Sequence, residues 1–290
     1  MNQTPRRVAV ITGASSGIGH ITAKTLAARG WDVIAQGRNA ERCDAALSDI
    51  RQSAAPGVRV AMLKCDLTLL SGVARLADEI AAFTPNVHVL LNNAGGVRDA
   101  MHITPEGNEA TFAANHLGPF LLTNRLMPLL RRASTEVPRG VVRIVATSSS
   151  GHETCPGIDW SDLQQVKNWV SGKNYCLAKL CNLLFTSELA RRGWREGIIS
   201  HAMHPGVVNS NFHAHATPEM QQHMRERPGD PPELSAETLV WLATDPGVGC
   251  TTGGYFHNKA LVTPSPAALD RDAAARLWQE SETLLRRAGY

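Results

Sequence analysis

An α/β fold, a doubly wound parallel sheet with helices on both faces, follows from two features of this 290-residue chain. Short β-branched runs alternate with segments of helical spacing, which is the pattern of βαβ units. Each chemistry-bearing motif falls just after one of the strand runs. In open α/β sheets the ligand crevice lies outside the carboxyl ends of the strands. The motifs therefore converge on one edge of one sheet, which predicts a single domain over 1–290 without internal repeats.

The elements follow in order. Val8–Ile11 is a short apolar run ending at Gly13 and reads as a buried strand. Ile18–Arg29 has helical spacing and stops at Gly30, and Trp31–Gln36 is a second strand. Val58–Lys64 is a third strand ending at Cys65-Asp66; Val73–Ala82 is helical. Val87–Leu91 is a fourth strand ending at Asn92-Asn93-Ala94-Gly95, followed by a long helix over Glu106–Leu130. Val141–Thr147 is the fifth strand, Tyr175–Arg192 a helix, and Ile198–His204 the sixth strand, ending at Pro205-Gly206. Two stretches break the alternation: a polar connection over His152–Lys173, and Asn209–Glu233, rich in His, Met, Pro and charge. The second sits beside the crevice and reads as a substrate lid or as a surface excursion. Residues 267–287 have the spacing of an amphipathic helix, with Leu277, Trp278, Leu284 and Leu285 as its apolar stripe.

Composition narrows the function classes. A hydrophobic fraction of 43% supports a sizeable core, and a net charge of +3 is too small to argue for nucleic-acid or membrane partners. Cys43, Cys65, Cys155, Cys176, Cys181 and Cys250 form no Cys-x-x-Cys pair, which indicates neither a zinc site nor a disulfide framework. Reduced thiols, a polar start from Met1 to Arg7 and no apolar run of bilayer length predict a cytoplasmic protein. His201, His204, His213, His215 and His223 read as polar lid and strand-end residues rather than metal ligands, so no metal is expected.

The first strand leads into Thr12-Gly13-Ala14-Ser15-Ser16-Gly17-Ile18-Gly19. A glycine-rich strand–turn–helix lets backbone N–H groups approach a pyrophosphate, and the helix N-terminus adds partial positive charge. Glycine serves where a Cβ would block that approach. The spacing is neither Gly-x-Gly-x-x-Gly nor a lysine-containing phosphate loop. With the strand pattern it predicts a Rossmann-type dinucleotide site made by Gly13, Ser15, Ser16, Gly17, Ile18 and Gly19. The second strand decides the nucleotide. An NAD site places an acidic residue there for the ribose hydroxyls. Here Gln36-Gly37-Arg38-Asn39 holds no carboxylate, and Arg38 can pair with a 2′-phosphate, so NADP(H) is favoured over NAD(H). Asp66, followed by Leu67, could accept from the adenine amine or cap a helix. Asn93, Ala94 and Gly95 could hold a ribose.

Tyr175 and Lys179 are one helical turn apart on one face. A phenol has an ordinary pKa of about 10, and a fixed cation beside it favours phenolate. Such a pair can pass a proton to or from an alcohol oxygen while the nucleotide exchanges hydride.

Thr12–Gly19, Asn92–Gly95, Ser149, Tyr175/Lys179 and Pro205-Gly206 occur in the order seen in short-chain dehydrogenases/reductases, and the chain resembles that family from Val8 to about Leu285. Asn115-His116-Leu117-Gly118-Pro119-Phe120-Leu121-Leu122-Thr123, Tyr175–Leu180, Leu184–Arg192 and the tail around Arg276-Leu277-Trp278 are similar to its retinol-dehydrogenase-like members, bacterial relatives included. The resemblance implies a tetrad of Asn115, Ser149, Tyr175 and Lys179. Tyr175 would be the acid in reduction and the base in oxidation. Lys179 would bind the nicotinamide ribose, Ser149 the substrate oxygen, and Asn115 a proton-relaying water. Backbone of Pro205, Gly206 and Val208 would hold the carboxamide. Ser148, Ser149 and Ser150 are consecutive; Ser149 is the first assignment and Ser148 the second. The stretch from Ser149 to Tyr175 is longer than in compact members, as it is in retinol-dehydrogenase-like ones. Animal retinol dehydrogenases often carry an N-terminal membrane anchor, and only polar residues precede the first strand here, so retinoid specificity does not carry over. The expected activity is interconversion of an aldehyde or ketone with an alcohol, on an apolar small molecule. Homodimers and homotetramers are common in the family.

Other readings fit less well. A nucleotide-sensing or scaffold protein of this fold typically loses the tyrosine or lysine. Extended epimerases and dehydratases usually show Gly-x-x-Gly-x-x-Gly and a larger C-terminal domain. Enoyl reductases usually space Tyr and Lys by seven positions.

Overall fold

The computed structural model describes residues 6–208, 221–222, 226 and 229–290. Among these, eight strands form one sheet: β1 (Val8–Ile11), β2 (Asp32–Gly37), β3 (Val60–Lys64), β4 (Val89–Asn92), β5 (Val142–Thr147), β6 (Ile198–Met203), β7 (Tyr255–His257) and β8 (Ala260–Leu261). Their order is β3-β2-β1-β4-β5-β6-β7-β8, parallel throughout except for the β7–β8 hairpin. The helices are α1 (Gly17–Ala28), α2 (Ala40–Ser53), α3 (Leu70–Phe83), α4 (Ala110–Phe112), α5 (Gly118–Glu136), α6 (Ser171–Gly193), α7 (Pro232–Thr244) and α8 (Arg271–Arg287). None of them is long and apolar enough to cross a membrane.

Strands β1, β2, β4, β5 and β6 are buried on both faces, and their period-two alternation divides the core into two layers. Val8 and Val10 of β1 join the layer under α3, α5, α6 and α8. Ala9 and Ile11 join the layer under α1, α2 and α7. The chain runs outward from β1 through β2 to β3, then returns to place β4 on the other side of β1. That reversal opens a crevice between the carboxyl ends of β1 and β4, where a doubly wound sheet takes its ligand.

Several boundaries differ from the sequence expectation, for identifiable reasons. The helix expected over Glu106–Leu130 begins at Ala110, where the Glu109 side chain caps Phe112 N–H, and extends to Glu136. It is interrupted by a π segment over Ala113–Leu117. The tail helix starts at Arg271, capped by Asp270, and residues Pro266–Leu269 form a 3-10 turn instead. Helix α6 begins four residues before Tyr175, taking the end of the expected polar connection. Most of the expected lid over 209–233 lies outside the described residues. At its far end Asp230 pairs with Val208 in a parallel bridge, and Pro232 and Glu233 belong to α7 rather than to a lid. Helices α2 and α7 and strands β7 and β8 are additions to the expected elements.

One buried charge locks α7 to the sheet. Arg143 on β5 is 3% exposed. It donates to the carbonyls of Gly140, Leu242 and Asp245 at 2.8, 2.7 and 2.7 Å, so it closes the C-terminal turn of α7. Burial lowers its pKa to about 10, still far above neutrality. Arg143→Leu leaves three carbonyls without these donors and is expected to destabilise the fold by about 3 kcal/mol. Chemical denaturation measures this, and a loss below about 1 kcal/mol would mean that water replaces the guanidinium.

Candidate active site

The crevice is assembled from the first residues beyond each strand. Thr12, directly after β1, is buried, and its hydroxyl accepts from Asn93 N–H and Ala94 N–H at 3.0 Å each. Asn93 returns a side-chain N–H to Thr12 O at 3.0 Å and accepts from the Thr147 hydroxyl at 3.3 Å. The ends of β1, β4 and β5 are therefore one hydrogen-bonded unit.

In the glycine loop, Gly13 has φ +68° and Gly17 φ +56°, conformations that favour glycine. A Cβ on Gly13 would lie 2.9 Å from Ala94 Cα, and one on Gly19 2.5 Å from Gly13 O and 2.6 Å from Asn93 Nδ2. By sequence, glycine at these positions serves the approach of a pyrophosphate. The structure shows that at 13 and 19 the chain's own backbone already demands glycine. Ser16 is the N-cap of α1 with no side-chain capping bond, and no acidic residue lies in the first turn. The helix N-terminus thus keeps its partial positive charge toward the crevice, which fits an anionic group. Ser15 packs against Gly37, where a Cβ would lie 2.7 Å from Ser15 Cβ, and Ile18 packs into the α1-side core.

At the end of β2, Gln36 is 3% exposed and committed: it accepts from Gly13 N–H at 3.1 Å and donates to Cys65 O at 2.7 Å. The exposed side chain there is Arg38, whose Nη1 lies 4.0 Å from Asp66 Oδ2. Asp66 Oδ1 accepts from Thr68 N–H and Oγ at 3.0 and 2.9 Å, so it caps a local turn rather than α3, whose N-cap is Leu69. Asn39 caps α2 through Arg42 N–H at 2.9 Å. Leu67 is buried; its carbonyl would lie 2.5 Å from a Cβ on Gly118, which holds the start of α5 close.

Around the tyrosine, the four tetrad candidates come together. Tyr175 and Ser149 share a side-chain hydrogen bond. Ser149 Oγ also accepts from Gly151 N–H at 3.1 Å, whereas the Ser148 hydroxyl is buried and donates to Lys179 O at 2.8 Å. Ser149 is the serine that faces the phenol. Lys179 Nζ donates to Thr147 O at 2.9 Å and sits 5.4 Å from the Tyr175 ring centroid. Asn115 lies in the π segment. Its side-chain amide takes Thr111 O at 2.8 Å, the acceptor an α-helix would give to its backbone N–H, and Gly96 O at 2.9 Å. A Cβ on Gly95 would lie 2.6 Å from Asn115 Oδ1 and 2.9 Å from Lys179 Nζ, so these groups close on one point. Single π turns inside helices recur at functional sites.

The electrostatics differ from the sequence expectation that the ammonium lowers the phenol pKa. Burial pushes the Tyr175 phenol well up, opposed only in part by the Ser149 hydrogen bond. Burial also pulls Lys179 down to about 7, with no carboxylate opposing it. Helical spacing brought the two side chains together, but both are desolvated, and desolvation outweighs their mutual effect.

Beyond β6, Gly206 has φ +77° and its N–H donates to His204 Nδ1 at 3.2 Å. Pro205 O accepts from the Ser235 hydroxyl at 2.7 Å, and Val207 O from Asp230 N–H at 2.7 Å. His204 stacks on His257 at 4.0 Å, and its pKa falls to about 4 through burial, with the neighbouring imidazoles adding to it. His201 is a sheet residue whose ring accepts from Gly254 N–H. His213, His215 and His223 lie outside the described residues. Among the described residues no group of three His, Cys, Asp or Glu is arranged to hold a metal ion. His152, His257 and Tyr255 stand beside the site without having been singled out from the sequence. Tyr255 arrives on β7, a three-residue strand too short to show alternation.

This geometry accompanies clear relationships. The profile of the short chain dehydrogenase family matches residues 7–221. The chain belongs to the short-chain dehydrogenase/reductase family. Human retinol dehydrogenase 13 is 34% identical over 97% of this chain and 85% of its own length. The crystal structure of an uncharacterised protein from Mycobacterium paratuberculosis superposes with a TM-score of 0.73 at 32% identity, covering 97% of this chain and 93% of that one. The NADP active-site complex of Pseudomonas aeruginosa RhlG gives a TM-score of 0.68 at 25% identity over 86% and 93%. The protein is thus a retinol-dehydrogenase-like member of this family, an alcohol/carbonyl oxidoreductase that uses a nicotinamide cofactor on a small molecule.

Lys179 gives a pH test of the site. Its folded pKa lies below the ordinary 10.5, so the unfolded chain binds more protons between about pH 7 and 10.5 and stability rises with pH there. Above the ordinary thiol value of 9.0 the buried cysteines, whose pKa values are raised, work in the opposite direction. Thermal melts of the cofactor-free protein are expected to rise from about pH 7 to 9, and Lys179→Met to flatten that rise. Parallel curves for the two proteins would show that Lys179 is charged and solvated.

Proposed function

We propose that this chain is an NADP(H)-dependent oxidoreductase that interconverts an aldehyde or ketone with an alcohol, on an apolar substrate, with Tyr175 as acid and base. The observation that carries the reading is the half-buried Tyr175–Ser149 hydrogen bond beside Lys179. The nicotinamide, when bound, supplies or accepts the hydride. Gly13, Ser15, Ser16, Gly17, Ile18 and Gly19 would hold its pyrophosphate, Asp66 and Leu67 the adenine side, and Asn93, Ala94 and Gly95 a ribose. Lys179 would hold the nicotinamide ribose, and Pro205, Gly206 and Val208 the carboxamide.

The protein's own part is to hold an oxygen and move one proton. In reduction, Ser149 fixes the carbonyl oxygen and donates to the charge that develops on it. Tyr175 gives its proton to that oxygen; in oxidation it takes the proton back. The raised phenol pKa keeps Tyr175 protonated, ready to donate. Lys179 and Asn115, which close on Gly95, would resupply the proton through a water held by Asn115. Two loops that follow β4 and precede α6 carry exposed Met101, Ile103, Val166 and Val170, an apolar rim suited to an apolar substrate. They are tied together by Glu109, which takes Trp169 Nε1–H at 3.2 Å and gives its own N–H to Gln164 at 2.6 Å. For the nucleotide, the support is Arg38 and the lack of a carboxylate at the end of β2. A cytoplasmic homodimer or homotetramer completes the reading.

The decisive experiment follows NADPH oxidation optically against aldehydes and ketones from small to bulky and apolar, with NADH in parallel. Tight NADPH binding without turnover in either direction would instead favour a catalytically silent, NADP(H)-sensing protein. Two variants sharpen the test. Tyr175→Phe is expected to lower kcat/KM about 1,000-fold with NADPH affinity retained; activity near that of the parent removes Tyr175 from its role. Arg38→Ala is expected to weaken NADPH by about tenfold or more and NADH by less than about twofold, read by fluorescence titration. Equal losses for both nucleotides sink the 2′-phosphate assignment.

A further inference from the structure

His152 lies three residues past Ser149, in the 3-10 turn Ser150–Thr154, and is 0% exposed. Its Nδ1 is 2.7 Å from the carbonyl oxygen of Ser149. Its Nε2 is 3.1 Å from the backbone N–H of Ser265, 113 residues further along the chain. A backbone N–H can only donate, so Nε2 accepts, the ring proton sits on Nδ1, and Nδ1–H donates to Ser149 O. The imidazole is a bridge of fixed orientation between the main chain of Ser149 and the segment that leads into α8.

The local turn does not need this ring. His152 N–H already donates to Ser149 O at 3.2 Å, and Ser149 Oγ accepts from Gly151 N–H at 3.1 Å. What the ring adds is a reference point outside the turn. The Tyr255 ring packs perpendicular to it, at 5.3 Å and 87°, which fixes the ring plane from β7. Ser149 is thereby held from two distant parts of the chain, while Tyr175 is held independently by α6.

We propose that His152 is a positioning residue: it sets the place of Ser149 relative to Tyr175, and it makes an ordered Ser265 segment a condition of turnover. The proposal rests on the reading of Ser149 as the group that holds the substrate oxygen. Misplacement by about 1 Å can cost on the order of 100-fold in rate.

The test uses two variants of the full chain. His152→Phe keeps an aromatic ring, one atom larger, and removes both nitrogens. Ser265→Pro removes the N–H that His152 accepts, together with a buried hydroxyl that has no hydrogen-bond partner among the described residues; Ser265 has φ −59°, which a proline ring adopts without strain. Turnover of a carbonyl from the panel is measured per NADPH-binding site, together with KM, NADPH affinity and melting temperature. The expected result for both variants is a loss of roughly tenfold or more in kcat per binding site, with KM and NADPH affinity within about twofold. A lower melting temperature or fewer binding sites with unchanged kcat per site would mean a purely structural role and overturn the proposal. Should His152→Phe fail to fold, Ser265→Pro decides. Ser149→Ala run alongside separates the two layers of argument. Parent-like turnover in Ser149→Ala overturns the reading of Ser149 and the proposal with it. Loss in Ser149→Ala with parent-like kcat in Ser265→Pro overturns the proposal alone.

Discussion

The hydroxyl of Thr12 is the contact on which the rest of the crevice depends. It accepts the N–H groups of Asn93 and Ala94 and donates to Leu91 O at 3.3 Å, so a single buried oxygen joins the carboxyl ends of β1 and β4 at the point where the sheet reverses. Asn93 carries the junction to Thr147 at the end of β5. From these three ends hang the glycine loop, the Gly95 turn against which Asn115 and Lys179 close, and the serine turn. Parallel strands need their terminal backbone groups satisfied somewhere, and here the partners are the residues that line the ligand site. The order of the sheet and the order of the site are the same hydrogen bonds.

The same economy applies to the glycines. A glycine-rich turn can be read either as a ligand cradle or as tight chain packing, and at Gly13 and Gly19 the two are not alternatives. Gly19 sits where a side chain would strike Gly13 O and Asn93 Nδ2, so α1 packs directly on the β1–β4 junction. That close approach is what points the uncapped N-terminus of α1 at the crevice. Gln36 works in the same sense. A buried amide in β2 clamps the loop to the end of β3, and the strand end presents the exposed side chain of Arg38, 4.0 Å from Asp66.

What the sequence made legible follows from the range of the forces involved. Strands β1 to β6 show as apolar runs because both faces are buried, fully in all but the edge strand β3, and the expected bounds match the observed ones to within two residues. The helix α2 left little trace, since only Cys43, Ala46 and Ile50 of its residues are buried. The π segment was invisible to a periodicity argument, because it depends on Asn115 taking the Thr111 carbonyl with its side chain. In the sequence His152 reads as part of a polar connection: its meaning lies in Ser265, which no local pattern couples to it. Motif order located the tetrad candidates, whereas the direction of the pKa shifts needed burial, a property of the whole fold.

Those shifts say what the chain leaves for its ligands to do. Tyr175 is raised by burial and Lys179 lowered by it to about 7, so the protein alone favours the neutral form of the phenol and weakens the charge on the amine. Lys179 has one described hydrogen-bond acceptor, Thr147 O, and no carboxylate contributes to its pKa. A buried ammonium without an anion is stabilised by added hydrogen-bond acceptors, such as ribose hydroxyls, which return its pKa toward the ordinary value. A charged Lys179 in turn favours phenolate at Tyr175. In the proposed reaction, proton transfer is therefore coupled to ligand binding by desolvation itself. The groups are held close and dry, and the electrostatic step that sequence spacing attributes to the Tyr–Lys pair alone requires a third partner in the crevice.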